Sequence, residues 1–350
     1  MSHSLTDFLT EARLNAILNG SCDCRVGVVG DLALDGYWTA DMTRAMLSRE
    51  TPHFPKPIIA ERYAPGAGGN VAQNLAALGV RHVAVFSVTG ADWRGELLHQ
   101  ELVARGVDMG ALIVTPAWRT TAYLKPLLTG YEIQQEDARL DFENVVPLSD
   151  DLQAALIARV TASLDDLDAL IVADQFEVNG VVTDGVREAL IKLAGRHPDR
   201  VFVADSRTRI DRFRQMVLKP NWREAALAVG QDPARDDPAR QRAVAAELAH
   251  AAGRLVALTR GARGVLIATR DEVTSIPAAP VTPPLDPVGA GDAFVATLAM
   301  ALAVGATPTE AGALANLAAA VIVEKLKETG TATPEELRTR WAHDAKAGDL

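Results

Sequence analysis

Arg25-Val-Gly-Val-Val-Gly-Asp31 is an apolar, β-branched run that stops at Gly-Asp. It predicts a buried first strand of an α/β sheet with a functional loop at its carboxyl end. Downstream, strand-like runs at 169–173, 201–204 and 255–259 alternate with helical patterns near 151–163, 184–194, 222–229 and 240–251. Alternating units of this length predict a parallel, doubly wound sheet. Asp31, Asp174, Asp205 and Thr259 all fall at strand carboxyl ends, where such sheets carry their sites.

Closer to the opening strand, residues 70–79 read as a helix stopped by Gly79, followed by a strand at 83–88 and a helix around 96–105. Residues 37–63 are broken by Pro52, Pro55 and Pro57, with 56–62 as an edge strand, and read as a small flap. Two extended pieces at 123–128 and 132–136 flank Thr129-Gly130 and read as a hairpin. The first twenty residues read as a capped amphipathic helix carrying Leu9, Leu14 and Leu18, without the basic flank and apolar core of a leader.

At 350 residues, 48% hydrophobic and 23% charged, the chain can bury a full core and is far from the composition of disorder. A net charge of −10 argues against a nucleic-acid partner, whose phosphates require clustered cations. Cys22 and Cys24 stand alone, so neither a disulfide framework nor a four-ligand zinc site can be built. No run reaches the roughly 18 apolar residues of a membrane span, and the cytoplasm is the expected compartment.

Four stretches carry chemistry. Gly289-Ala-Gly-Asp292 opens an apolar helix, so free N–H groups and the helix dipole there suit an anion. Asp292 is then either a base for an attacking hydroxyl or a plain helix cap. Pro65-Gly-Ala-Gly-Gly-Asn70 brings small residues to another helix start, where a polyol can approach the backbone and Asn70 can bond hydroxyls. Asp31 and Asp35, in Gly30-Asp-Leu-Ala-Leu-Asp35, are acceptors for hydroxyls or solvated loop acids. Lys219-Pro-Asn-Trp-Arg-Glu224 places Glu224 in the first turn of a helix, which the dipole alone would favour. No Gly is followed by Lys, which excludes a Walker loop; Gly-x-Ser-x-Gly and His-Glu-x-x-His are absent, and so is the dinucleotide fingerprint of an oxidoreductase.

Residues 66–79 together with 286–294, in this order and separated by an alternating α/β chain, resemble the two signature regions of the PfkB, or ribokinase-like, carbohydrate kinases. Asn221-x-x-Glu224, Thr259-Arg-Gly261 and Asn316 fall where that family keeps nucleotide-side residues. The resemblance implies one kinase domain over residues 1–350, a three-layer α/β/α fold with a mostly parallel sheet, and a small β lid built near 37–63 and 120–137. It implies transfer of the γ-phosphoryl group of ATP, with Mg2+ and a monovalent cation such as K+, to a sugar hydroxyl. Asp292 would be the base and Gly289, Ala290 and Gly291 the anion hole. Asp35, Gly66, Gly68, Gly69 and Asn70 would hold the sugar, with Asp31 beside them; Asn221, Glu224, Thr259, Gly261 and Asn316 would line the nucleotide, Glu224 reaching the metal through water. A homodimer through the lid is expected.

Within the family the chain is similar to the heptose 7-phosphate kinases, in Gly30-Asp-Leu-Ala-Leu-Asp-Gly-Tyr-Trp38, Leu47-Ser-Arg-Glu-Thr-Pro52, Arg139-Leu-Asp-Phe-Glu143 and Gly330-Thr-Ala-Thr-Pro-Glu-Glu-Leu337. No nucleotidyltransferase segment is seen, so no adenylylation step is expected of these residues. Ala67 stands where the first signature has its second glycine. Asp174-Gln-Phe-Glu177 and Asp205-Ser-Arg207 stand where those kinases carry Asp-Tyr-x-Lys-Gly and Asp-Pro-Lys, so a lysine that could meet a sugar phosphate is missing. Kinases of unphosphorylated sugars, of ribokinase, fructokinase or ketodeoxygluconate kinase type, and a non-catalytic ligand-binding protein on this fold are the alternatives.

Overall fold

The computed structural model describes residues 4–326 and 330–348; Met1, with which the expected N-terminal helix began, lies outside them. The strands are β1 (Arg25–Gly30), β2 (Leu32–Asp41), β3 (Ile58–Ala67), β4 (His82–Phe86), β5 (Val88–Gly90), β6 (Ile113–Thr115), β7 (Thr121–Gly130), β8 (Ile133–Glu136), β9 (Leu140–Phe142), β10 (Ala169–Asp174), β11 (Val201–Ser206), β12 (Val217–Leu218), β13 (Val256–Thr259), β14 (Val265–Ala268) and β15 (Val273–Ile276). The helices are α1 (Glu11–Gly20), α2 (Gly68–Ala77), α3 (Trp93–Ala104), α4 (Asp150–Ser163), α5 (Asp184–Arg196), α6 (Trp222–Ala228), α7 (Pro238–Ala252), α8 (Ala290–Ala303), α9 (Pro308–Val323) and α10 (Pro334–Gly348).

An eight-stranded sheet in the order β15-β14-β13-β12-β11-β10-β1-β4 forms the middle layer, parallel from β4 to β13 and antiparallel only at β14 and β15. Its central strands β1, β10 and β11 are apolar along most of their length, with polar residues only at their ends, because both faces are covered. Val26 and Val28 of β1 and Ile171 of β10 enter one core with Val71 and Leu75 of α2 and Val295 and Leu298 of α8. Val29, Leu170 and Val172 enter the opposite core with Leu156 of α4, Leu190 of α5 and Val244 of α7. Side-chain alternation along each strand thus feeds two helical layers, which is the three-layer α/β/α arrangement. The helix starts follow their sequence signals: Thr10, Ser149, Thr183, Asp237 and Thr307 each cap with a side-chain oxygen.

A second, five-stranded sheet collects the two segments read as flap and hairpin. Its order is β3-β2-β7-β8, with β9 on β7. β2 leaves β1 after Asp31 alone and pairs antiparallel with β3 and parallel with β7. The flap therefore begins at Leu32, earlier than its prolines suggested, because those prolines lie in the β2–β3 connection.

Three elements were not expected. The strand read at 83–88 is broken: Ser87 donates its hydroxyl to the Gly30 carbonyl at 2.6 Å, and Val88 pairs instead with Ile113 in a separate ribbon. β12 has two residues, too few for any periodicity. β14 and β15 form an antiparallel edge entered through Gly264, where a Cβ would lie 2.1 Å from the Ile276 carbonyl oxygen.

Candidate active site

Asp292 is the third residue of α8, whose N-cap is Gly289 in the left-handed region at φ 81°. Glycine takes that conformation without the Cβ penalty, and the helix starts with no side chain over its first N–H groups. Asp292 does not cap this helix. Its Oδ2 accepts a hydrogen bond at 2.6 Å from Nδ2 of Asn70, on the first turn of α2. The Asn70 amide has one available orientation: its Oδ1 accepts from Gln73 Nε2 at 2.6 Å and from Asn74 Nδ2 at 3.1 Å, leaving Nδ2 for the carboxylate.

Lys219, just past β12, supplies a cation to which the sequence pattern alone assigns no role. Its Nζ lies 3.1 Å from Asp205 Oδ1, both side chains being 7% exposed. A Cβ built on Gly291 would stand 3.4 Å from that ammonium, so Lys219 reaches the start of α8 and Gly291 leaves it room. Free N–H groups, a helix dipole and a buried ammonium thus converge beside one carboxylate. The available signal was Asp205 at a strand end and the lysine before Pro220-Asn221.

Titration of these groups follows their surroundings. Burial, with the neighbouring charge of Asp205, pushes the Asp292 carboxyl up to about 6 against the pull of Asn70, Lys219 and Arg207. Burial raises Glu224 as well, opposed first by Lys219. For Lys219 burial works downward, but Asp205 and Glu224 outweigh it and the net direction is up. One lysine therefore serves three carboxylates.

On the first-signature side, Asp35 is half-buried in β2, 3.7 Å from Lys125 Nζ. Burial raises its carboxyl, with Lys125, Arg139 and Arg62 opposing. A Cβ on Gly66 would come within 2.9 Å of Asp35 Oδ2, so glycine there makes space for the carboxylate. Gly68 is required by its neighbours: its N–H bonds the Asp31 carbonyl at 2.8 Å, and a Cβ would strike that oxygen at 2.7 Å. Gly69 packs against Pro65. Ala67, where the signature has glycine, is held at φ 51°, ψ −130°, a conformation that belongs almost entirely to glycine.

Asp31 is corrected. Its residue is 0% exposed, and its carboxylate accepts the N–H groups of Gln175 (2.8 Å), Phe176 (2.7 Å) and Val181 (2.6 Å). Burial and Asp174 push it up to about 7. Fully buried and bonded three times to the loop after β10, it shapes the site by fixing that loop. Sequence placed it beside Asp35 because the two are four residues apart, but β2 carries Asp35 away into the other sheet.

On the remaining side, Asn221 and Glu224 form a reciprocal capping box: Asn221 Oδ1 accepts from Glu224 N at 2.9 Å, and Glu224 Oε2 accepts from Asn221 N at 2.8 Å. Asn221 is bridged to Thr259, and Gly261 lies just beyond at φ 58° in a short exposed turn. Asn316, 7% exposed on α9, donates to the Pro277 carbonyl at 3.0 Å and so props the chain after β15. One N–H of its amide is thus spent on the backbone. Among the described residues no group of three or more His, Cys, Asp or Glu side chains is placed to hold a metal ion, and no helix is long and apolar enough to cross a membrane.

Known proteins resemble the chain in sequence and in fold. The bifunctional protein HldE of Caulobacter sp. (strain K31) is 35% identical over 336 residues, which are 94% of this chain and 64% of that protein. HldE of Halorhodospira halophila (strain DSM 244 / SL1) is 35% identical over 325 residues, with 91% and 64% covered. The chain thus spans somewhat under two thirds of these relatives' length. Among solved structures, phosphofructokinase-2 from Escherichia coli in complex with potassium superposes with a TM-score of 0.73 at 19% identity, over 92% of this chain and 99% of that one. Arabidopsis thaliana ribokinase complexed with ribose and ATP gives 0.67 at 17%, over 91% and 98%. These superpositions make the fold ribokinase-like. The profile of the pfkB family carbohydrate kinases matches residues 59–336, across both α2 and α8, and the chain belongs to that family of sugar kinases.

Proposed function

We propose that the protein transfers the γ-phosphoryl group of ATP to a hydroxyl of a sugar phosphate of the heptose 7-phosphate type. The hydroxyl oxygen attacks γ-phosphorus, its proton passes to Asp292, and the bond to the β-phosphate oxygen breaks to release ADP. The N–H groups of Gly289, Ala290 and Gly291 and the Lys219 ammonium would meet charge spreading over the transferred group. The observation that carries the reading is the Asn70–Asp292 hydrogen bond, which joins the two signature helices around one partly buried carboxylate.

Asp35, Gly66, Gly68, Gly69 and Asn70 would hold the acceptor beneath the second sheet, which would act as a lid. Asn221, Thr259, Gly261 and Asn316 would border the nucleotide. Magnesium, when bound, would neutralise charge on the phosphates, with Glu224 as the residue that holds it through water. A monovalent cation such as K+ and a homodimer through the edge strands β3 and β8, where Ile58, Ile59 and Ile133 are exposed, complete the proposal.

The test is ADP release by purified protein with MgATP and a panel of acceptors that includes heptose 7-phosphate, fructose 6-phosphate, ribose and fructose. Turnover is expected with the heptose phosphate; turnover confined to neutral sugars would remove the acceptor assignment and leave the kinase.

A further inference from the structure

Among the cavities that phosphoryl transfer leaves unused, one lies against the second sheet. It holds about 340 Å³ between the second sheet and the loop after β10, with Thr121, Tyr123 and Arg139 facing Gln175, Phe176 and Arg207. The two arginines of the 205–209 turn differ. Arg209 is spent: it pairs with Asp174 and donates to the carbonyls of Phe176 at 2.6 Å and Glu177 at 3.0 Å. Arg207 donates its Nε to Gln175 Oε1 at 3.1 Å and forms no ion pair among the described residues.

Arg207, though exposed, is tied at its backbone and at Nε. Its backbone N–H bonds the Asp174 carbonyl at 3.2 Å, and its partner Gln175 is pinned by Asp31 at 2.8 Å. Fixing Nε leaves the terminal N–H groups of a rigid fork unused, a geometry that matches the oxygens of a phosphate monoester. Arg139 stands opposite, stacked 4.8 Å over the Tyr123 ring and joined to Asp141 through two 2.6 Å bonds. Glu143 and Glu177 also line the cavity, but both are exposed and neither pairs with Arg207. Arg207 lies two residues past Asp205, which pairs with Lys219, and lines the cavity together with Tyr123.

We propose that this cavity binds the phosphate-ester end of the acceptor, with Arg207 as its cation in place of the lysine missing from the loop after β10; this rests on the sugar phosphate kinase reading above. An acceptor hydroxyl at Asp292 and a phosphate at Arg207 would occupy the two ends of one cleft. A neutral sugar would leave the guanidinium unmatched.

The experiment compares heptose 7-phosphate with the same heptose lacking the phosphate, in the wild type and in Arg207→Gln, and adds calorimetric binding of the sugar phosphate to Asp292→Asn and to the Asp292→Asn/Arg207→Gln double variant. Losing a charge-assisted bidentate contact should raise KM for the phosphorylated acceptor about 10- to 100-fold and change KM for the neutral sugar less than about twofold. Binding should survive Asp292→Asn and disappear in the double variant. Equal losses on both acceptors, or wild-type use of the neutral sugar as efficient as of its phosphate, would overturn the subsite. Retained, Arg207-dependent binding without any transfer would support the subsite and count against the kinase reading.

Discussion

Nδ2 of Asn70 donates to Oδ2 of Asp292 at 2.6 Å, across 222 residues of sequence. Since Asn70 is one of the groups holding the Asp292 carboxyl down, Asn70→Ala should move the acid limb of the kcat/KM profile upward from about pH 6 and lower kcat/KM about tenfold or more. An unchanged acid limb would mean that Asn70 does not govern the base.

Lys219 is the buried cation among Asp205, Glu224 and Asp292. Lys219→Met keeps the bulk and leaves Asp205 buried without a partner, which costs on the order of 3–5 kcal/mol. Urea unfolding should show the loss, and in a double-mutant cycle with Asp205→Asn most of it should vanish. Additive effects would place the two side chains in separate roles.

Asp31 should behave as a structural residue. Asp31→Ala orphans three buried N–H groups, so thermal unfolding should fall by the equivalent of about 3 kcal/mol or more. KM for ATP should stay within about twofold of wild type at a temperature where both are folded. Stability equal to wild type would return Asp31 to the acceptor side.

Ala67 is strained at φ 51°, ψ −130°, and such conformations cost about 1–3 kcal/mol in a non-glycine residue. Ala67→Gly gives back part of that in unfolded-chain entropy, so a net gain of about 1 kcal/mol is expected in chemical denaturation. A loss would show that the surrounding strands hold alanine there without strain.

Much of the fold was legible because its central strands are apolar up to their carboxyl ends and alternate with helical patterns; Val26 to Gly30 announced itself. β12, with two residues, and the break at Ser87 were not, since both are set by contacts with distant backbone. In the site, Asp292, Asn70 and Glu224 could be named from short motifs. Lys219 acquires its role only when β12 lies next to β11 and its side chain turns toward Asp205, and Asp31 loses its role only when the loop after β10 folds over it. Short-range spacing shows which residues share a turn, and not which partner consumes a carboxylate.

The central claim is that Asp292 takes the proton of the attacking hydroxyl. The folded carboxyl keeps its proton up to about pH 6 while the unfolded one releases it near pH 4, so Asp292 contributes stability that is full below about pH 4 and lost as pH rises through about 6. Asp292→Asn should therefore be as stable as wild type or more so at pH 7, bind ATP with an unchanged Kd, and lose phosphoryl transfer by about a thousandfold or more, measured as ADP release under saturating MgATP and heptose 7-phosphate. Turnover within tenfold of wild type in a folded, ATP-binding Asp292→Asn protein would contradict the account.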